Sequence, residues 1–215
     1  VQQTDDLDEI RSAAKCLSEH CDVVAIIGVG GSTLGGEALA ALAARPPVEL
    51  RFLDNPDPDS LARFVASVDL ARTGAVVVSK SGGTAETLAM AMTIVPLLAA
   101  ARESDAKADF VVAIAEPGDN PLRRLVAHWD ITVIDHDPEI GGRYAVFSAV
   151  GLLPAALVGL DIEAIRAGGA EALEINLRSE DGRDAPAVTG AAVSIELLRA
   201  QGARTTVLMP YADTM

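Results

Sequence analysis

Three hydroxyl side chains, one ammonium and two glycines occupy six consecutive positions, Ser79-Lys80-Ser81-Gly82-Gly83-Thr84, directly after the apolar run Ala75–Val78. Hydroxyls donate to anionic oxygens, and glycines let the backbone approach a ligand. A helix expected from Ala85 adds unpaired N–H groups and the positive end of its dipole. Together these residues are suited to binding a phosphate group. A plain strand-to-helix turn with Thr84 as N-cap would need one hydroxyl; three hydroxyls and a lysine fit that reading poorly.

A second stretch, Gly28-Val29-Gly30-Gly31-Ser32-Thr33-Leu34-Gly35-Gly36, follows the apolar run Val23–Ile27. Gly28-x-Gly30 with Asp54 at the end of the next apolar run imitates a dinucleotide-binding fingerprint, but its third glycine would fall on Thr33, and the pattern fails. Asp54 is expected to cap the helix near Pro58 or simply to end its strand. No nucleoside-triphosphate loop of the type G-x-x-x-x-G-K-[ST] occurs. In a third stretch, Glu139-Ile140-Gly141-Gly142-Arg143-Tyr144, two glycines bring an always-charged guanidinium close to the backbone. Arg143 there suits an oxyanion, where the plain alternative is a surface arginine after a turn.

Apolar runs at 23–27, 50–53, 75–78, 110–115 and 131–134 read as strands. Helices are expected over Leu7–Leu17, Glu37–Ala44, Pro58–Val68, Ala85–Ala101 and Pro121–His128, with short connections. This alternation predicts an α/β fold: a three-layer αβα, doubly wound, five-stranded parallel sheet of order 2-1-3-4-5, flavodoxin-like. Ligands of such sheets bind where the winding reverses, between strands 1 and 3. The loops after those two strands are the two most unusual stretches of the sequence. Beyond Asp135 the pattern turns helical (146–158, 162–176 and 186–200), and 205–209 reads as a further strand.

Composition narrows the class of function. The net charge is -14 over 215 residues, which argues against nucleic acid, whose binding requires a basic surface, and against anionic membranes. The long apolar run at 146–160 is interrupted by Ser148, Gly151 and Pro154, so no membrane span is expected. Half of the residues are hydrophobic but only 3% are aromatic, so the core is expected to be Ala, Val, Leu and Ile, as parallel strands covered on both faces require. An acidic surface with three lysines (Lys15, Lys80, Lys107) fits a salt-adapted organism, and a GC-rich genome would give much of the same bias. Cys16 and Cys21 match no zinc spacing or disulfide framework, and with no signal peptide in view the expected compartment is the cytoplasm. The start at Val1 and the stop at Met215 suggest truncation at both ends.

The Gly31-Ser32 loop, Ser79-Lys80-Ser81-Gly82-Gly83-Thr84-Ala85-Glu86-Thr87, and Gly141-Gly142-Arg143-Tyr144 with Phe147-Ser148-Ala149-Val150-Gly151-Leu152 resemble the phosphoglucose isomerase family. Leu208-Met209-Pro210-Tyr211-Ala212-Asp213 is similar to the opening of that family's second sugar-isomerase (SIS) domain. The resemblance runs through nearly the whole chain and departs at Ala145, where the family usually has serine. It implies a first SIS domain over 1–145, a helical connector over 146–203 and the first strand of a second SIS domain over 204–215. It further implies that Gly31, Ser32, Ser79, Lys80, Ser81, Gly82, Gly83 and Thr84 bind a sugar phosphate, and that Arg143 is catalytic and stabilises an enediolate.

The implied reaction interconverts glucose 6-phosphate and fructose 6-phosphate without metal or organic cofactor. The family's catalytic glutamate, histidine and lysine would lie beyond Met215, so the chain alone is expected to be inactive and its full-length form a homodimer. His20 and His128 end helices, where a cation complements the dipole. His136 is the one histidine near the site, and Glu86 is expected to support the loop behind the phosphate. The rivals are a non-catalytic SIS module that senses phosphosugars, an isomerase that also takes mannose 6-phosphate and, third, a dinucleotide-binding enzyme.

Overall fold

The computed structural model describes residues 6–102, 109–178, 182–207 and 209. The elements in chain order are α1 (Leu7–His20), β1 (Val23–Ile27), α2 (Leu34–Ala40), β2 (Glu49–Leu53), α3 (Pro58–Ser67), β3 (Thr73–Val78), α4 (Ala85–Ala100), β4 (Val111–Ala115), α5 (Pro121–His128), β5 (Thr132–Asp135), α6 (Ala149–Leu157), α7 (Ile162–Leu177) and α8 (Pro186–Gln201). Short 3-10 turns occupy Gly30–Ser32, Leu70–Arg72 and Gly142–Phe147.

Five strands pair in the expected order, β2-β1-β3-β4-β5, all parallel. Every residue of β3 and β4 is buried, which is why both read as unbroken apolar runs rather than alternating ones. The edge strand β2 instead alternates toward solvent. α1 turns Leu7, Ile10, Ala13, Ala14 and Leu17 inward, a helical stripe.

Local chemistry sets the helix starts. Asp57 Oδ1 accepts from Ser60 N at 2.8 Å, with Pro58 in the first turn of α3. The cap is therefore Asp57 and not Asp54, which follows β2 as an exposed residue. Asn120 caps α5 in the same way, its Oδ1 accepting from Arg123 N at 3.0 Å.

Several boundaries differ from expectation, two of them for reasons of packing and pairing. α2 begins at Leu34 and ends at Ala40, taking two glycines into a helix. Those glycines allow close packing: a Cβ on Gly36 would lie 2.9 Å from Pro154 Cγ, and one on Gly35 3.1 Å from Val146 Cβ. β3 starts two residues early, because Thr73 and Gly74 pair with Val23 and Val24. One compact unit reaches to Ile162, with α6 packed on α1 and α2. Its apolar residues Val150, Leu152, Leu153 and Leu157 are buried.

The second unit begins at Glu163. Within it, Asn176 Oδ1 accepts from Ala187 N at 2.9 Å, and Gly202, with φ +67°, closes α8 in the left-handed conformation. Residues 202–207 have no regular structure. Leu208 and residues 210–215 of the expected strand and second-domain segment lie outside the described residues. No described helix is long and apolar enough to cross a membrane.

Candidate sugar-phosphate site

Because β1 lies between β2 and β3, the loops leaving the carboxyl ends of β1 and β3 meet over the point where the winding reverses. Their contact is close: a Cβ on Gly28 would lie 3.0 Å from the carbonyl oxygen of Val78. Gly30 has φ +58°, and the turn it starts is closed by Thr33, whose N–H and Oγ1 both donate to Gly30 O at 3.0 and 3.2 Å. Thr33 is buried. The residue that breaks the dinucleotide pattern thus completes a different turn.

The third stretch arrives from β5. A Cβ on Gly31 would lie 2.6 Å from the carbonyl carbon of Gly142, so the two segments meet backbone to backbone. Arg143, next in the chain, is exposed and makes no hydrogen bond or ion pair to a described residue. A guanidinium with five donors is left available there. Ser32, next to Gly31 in the same turn, is partly exposed.

In the loop after β3, hydroxyl protons are left over for a ligand. Ser79 is buried and its Oγ donates to Thr84 Oγ1 at 3.1 Å, so Thr84's own proton is available. Ser81 Oγ accepts from Gly83 N at 3.3 Å, and its proton is likewise free to donate. Thr84 stands at the N-cap position of α4 without capping it, so the first-turn amides of α4 remain open to an anion. Gly82 adopts φ +64°, and its carbonyl accepts from Leu122 N at 2.8 Å. Gly83 is exposed.

Lys80 is placed differently from its neighbours. Its Nζ donates to Pro138 O at 2.6 Å and pairs with Glu116 Oε1 at 3.4 Å, so protein partners hold the ammonium. Glu116, Asn120 and Pro138 were not among the residues singled out from the sequence. The Asn120-Pro121 pair, a cap followed by a first-turn proline, was the signal that could have found Asn120.

His136 follows β5 and is buried, and its Nδ1 has no hydrogen-bond partner among the described residues. Burial, with a smaller contribution from Lys80, holds its pKa below the ordinary histidine value, and Glu116 and Asp137 oppose that shift. His20 Nδ1 lies 2.8 Å from Cys16 O at the end of α1, and His128 ends α5; neither belongs to the site. Glu86 is exposed in the first turn of α4. Among the described residues no group of three or more His, Cys, Asp or Glu is arranged to hold a metal ion.

The family model for phosphoglucose isomerase matches residues 7–215. The chain belongs to this family. A glucose-6-phosphate isomerase of Rubrobacter xylanophilus is 36% identical over 88% of this chain and 45% of its own length. A probable glucose-6-phosphate isomerase of Haloarcula marismortui is 35% identical over 98% of this chain and 47% of its own. A crystal structure of a glucose-6-phosphate isomerase from Chlamydia trachomatis superposes with a TM-score of 0.82 at 26% identity, over 97% of this chain and 41% of that one. The chain spans about half the length of the curated relatives it matches. At the point where the sequence departs from the phosphoglucose isomerase pattern, Ala145 is buried, and its carbonyl accepts from Ser148 N and Oγ at 2.9 and 2.7 Å. The turn that carries Arg143 is closed at that position by the Ala145 carbonyl, with the hydroxyl supplied by Ser148.

Proposed function

We propose that this chain forms the sugar-phosphate-binding half of an aldose–ketose isomerase that interconverts glucose 6-phosphate and fructose 6-phosphate. The phosphate sits on Ser81, Thr84 and the amides at the start of α4, with the buried Ser79 hydroxyl orienting Thr84 Oγ1 beneath it. The sugar lies across the Gly31-Ser32 turn toward Arg143. As a proton moves between C1 and C2, negative charge develops on oxygen, and Arg143, which stays cationic, stabilises that enediolate. The general base for the proton transfer lies outside these 215 residues, as do the remaining catalytic groups. The full-length protein is a homodimer in the cytoplasm.

The observation that carries this reading is the meeting of Gly31 with Gly142, which brings the guanidinium-bearing segment to the same crevice as the hydroxyl loop. Calorimetric titration with glucose 6-phosphate and with glucose tests it, beside a coupled assay for isomerisation. The phosphorylated sugar should bind and glucose should not, and turnover should appear only when the chain is extended beyond residue 215. Equal binding of the two sugars would overturn the site. Robust turnover by the 215 residues would overturn the assignment of the base.

A further inference from the structure

We propose that Lys80 is a positioning residue and not a phosphate ligand: its ammonium fastens the segment that presents Gly142 and Arg143 to the ends of β3 and β4. The inference rests on the sugar-phosphate reading above and assigns a different task to the one lysine of the loop. One of the ammonium's three N–H donors is engaged by Pro138 O at 2.6 Å, and its charge is paired with Glu116 Oε1 at 3.4 Å.

Each partner is itself anchored. Glu116 N donates to Lys80 O at 2.9 Å, so the two residues are joined through backbone as well as side chain. Glu116 O accepts from Asn120 Nδ2 at 3.1 Å and from Arg123 Nε at 2.7 Å, which ties it to the start of α5. Pro138 sits in a turn held by Asp137, whose Oδ1 accepts from Glu139 N at 2.8 Å and whose carbonyl accepts from Ile140 N at 3.1 Å. That turn leads straight into Gly141, whose carbonyl accepts from Tyr144 N at 2.8 Å, and into the contact of Gly142 with Gly31.

The chain of restraints from Lys80 to Arg143 is therefore short, with two consecutive turns, Asp137–Ile140 and Gly141–Tyr144. The side chains of Lys80 and Glu116 remain 32% and 29% exposed, and ion pairs this open to water contribute little to global stability. The effect of losing the pair falls on where Arg143 stands more than on whether the domain folds.

The test compares Lys80→Met, Lys80→Arg, Glu116→Gln, Arg143→Met and the Lys80→Met/Arg143→Met double variant in titrations with inorganic phosphate and with glucose 6-phosphate. For Lys80→Met, inorganic phosphate affinity should change by less than about twofold. Glucose 6-phosphate affinity should fall roughly tenfold, the value of one charge-assisted contact. Lys80→Arg should recover part of that loss, and Glu116→Gln should reproduce part of it. The double variant should bind glucose 6-phosphate no more weakly than Arg143→Met alone. Equal losses of both ligands in Lys80→Met, or additive losses in the double variant, would make Lys80 a direct ligand and overturn the proposal. Amide hydrogen exchange across Gly142–Tyr144 reads the clasp without any ligand, and it should accelerate in Lys80→Met. Unchanged exchange overturns the clasp on its own, while failure of the parent chain to bind either ligand would overturn the functional reading instead.

Discussion

Gly31 and Gly142 touch through backbone alone, with the carbonyl carbon of Gly142 2.6 Å from where a Cβ of Gly31 would stand. Neither partner in this contact is a side chain that could rotate away. Gly31→Ala should therefore push the Gly142-Arg143 segment out of the crevice. The expected cost is about 1–3 kcal/mol of stability, as for other overpacked contacts, with a larger proportional loss of glucose 6-phosphate affinity. Thermal melts and titration check it. Unchanged affinity would mean that Arg143 does not reach the sugar.

Replacing Ser81 and Thr84 together by Ala should weaken glucose 6-phosphate binding by roughly 1.5–3 kcal/mol for each lost donor to a charged oxygen. The melting temperature should fall modestly, because Ser81 is exposed and Thr84 does not cap α4, but the buried Ser79 hydroxyl loses Thr84 Oγ1 as its acceptor. Calorimetry decides between the loop as ligand site and the loop as turn.

Gly82→Ala should be among the most destabilising single changes in the loop. Its Cβ would lie 1.9 Å from Asn120 Oδ1, and φ is +64°. The left-handed conformation costs a non-glycine residue about 1–2 kcal/mol, and displacing the α5 cap costs about 1 more. Urea unfolding should show a loss of roughly 2–3 kcal/mol on those two grounds. Adding Asn120→Ala should cost less than the sum of the two single changes, since both act on one contact.

His136 makes stability depend on pH. Its pKa in the folded chain lies below the ordinary 6.5, so the unfolded chain takes up the proton more readily. The contribution of the neutral buried ring is complete above that ordinary value and is lost as pH falls through it toward the depressed folded value. The groups acting on the ring are Lys80, Glu116 and Asp137. Melting temperatures at pH 7.5, 6.5 and 5.5 should fall more steeply for the parent than for His136→Asn. Parallel curves would assign the acid sensitivity to carboxylates elsewhere.

Reading the sequence recovered the sheet because its signal is local: five apolar runs, each followed by a helical period, permit few parallel orders. The hydroxyl loop was legible for the same reason. The partners of individual side chains were not. The resemblance places Lys80 with the phosphate ligands, and nothing in its residue type announces that its ammonium donates to Pro138 O and pairs with Glu116. That pairing emerges only from the register, in which Val78 faces Ile114 and Lys80 comes level with Glu116 two residues on. The extent of α2 was hidden by Gly35 and Gly36, which look like loop residues until Val146 and Pro154 are seen against them. The contact of Gly31 with Gly142 joins segments separated by most of the sheet, and no local pattern announces it.

The register that pairs Val23 with Thr73 and Ile27 with Val77 also has a kinetic consequence. β1 meets β3 only after the chain has passed through β2 and α3, so the two loops of the crevice come together by a non-local closure across about fifty residues of intervening chain. A sugar phosphate spanning them binds the folded chain and has nothing to hold in the unfolded one. Such a ligand raises the free energy of unfolding by an amount set by its concentration relative to its dissociation constant, and where that closure follows the folding transition state, most of this gain is expected as slower unfolding rather than faster folding.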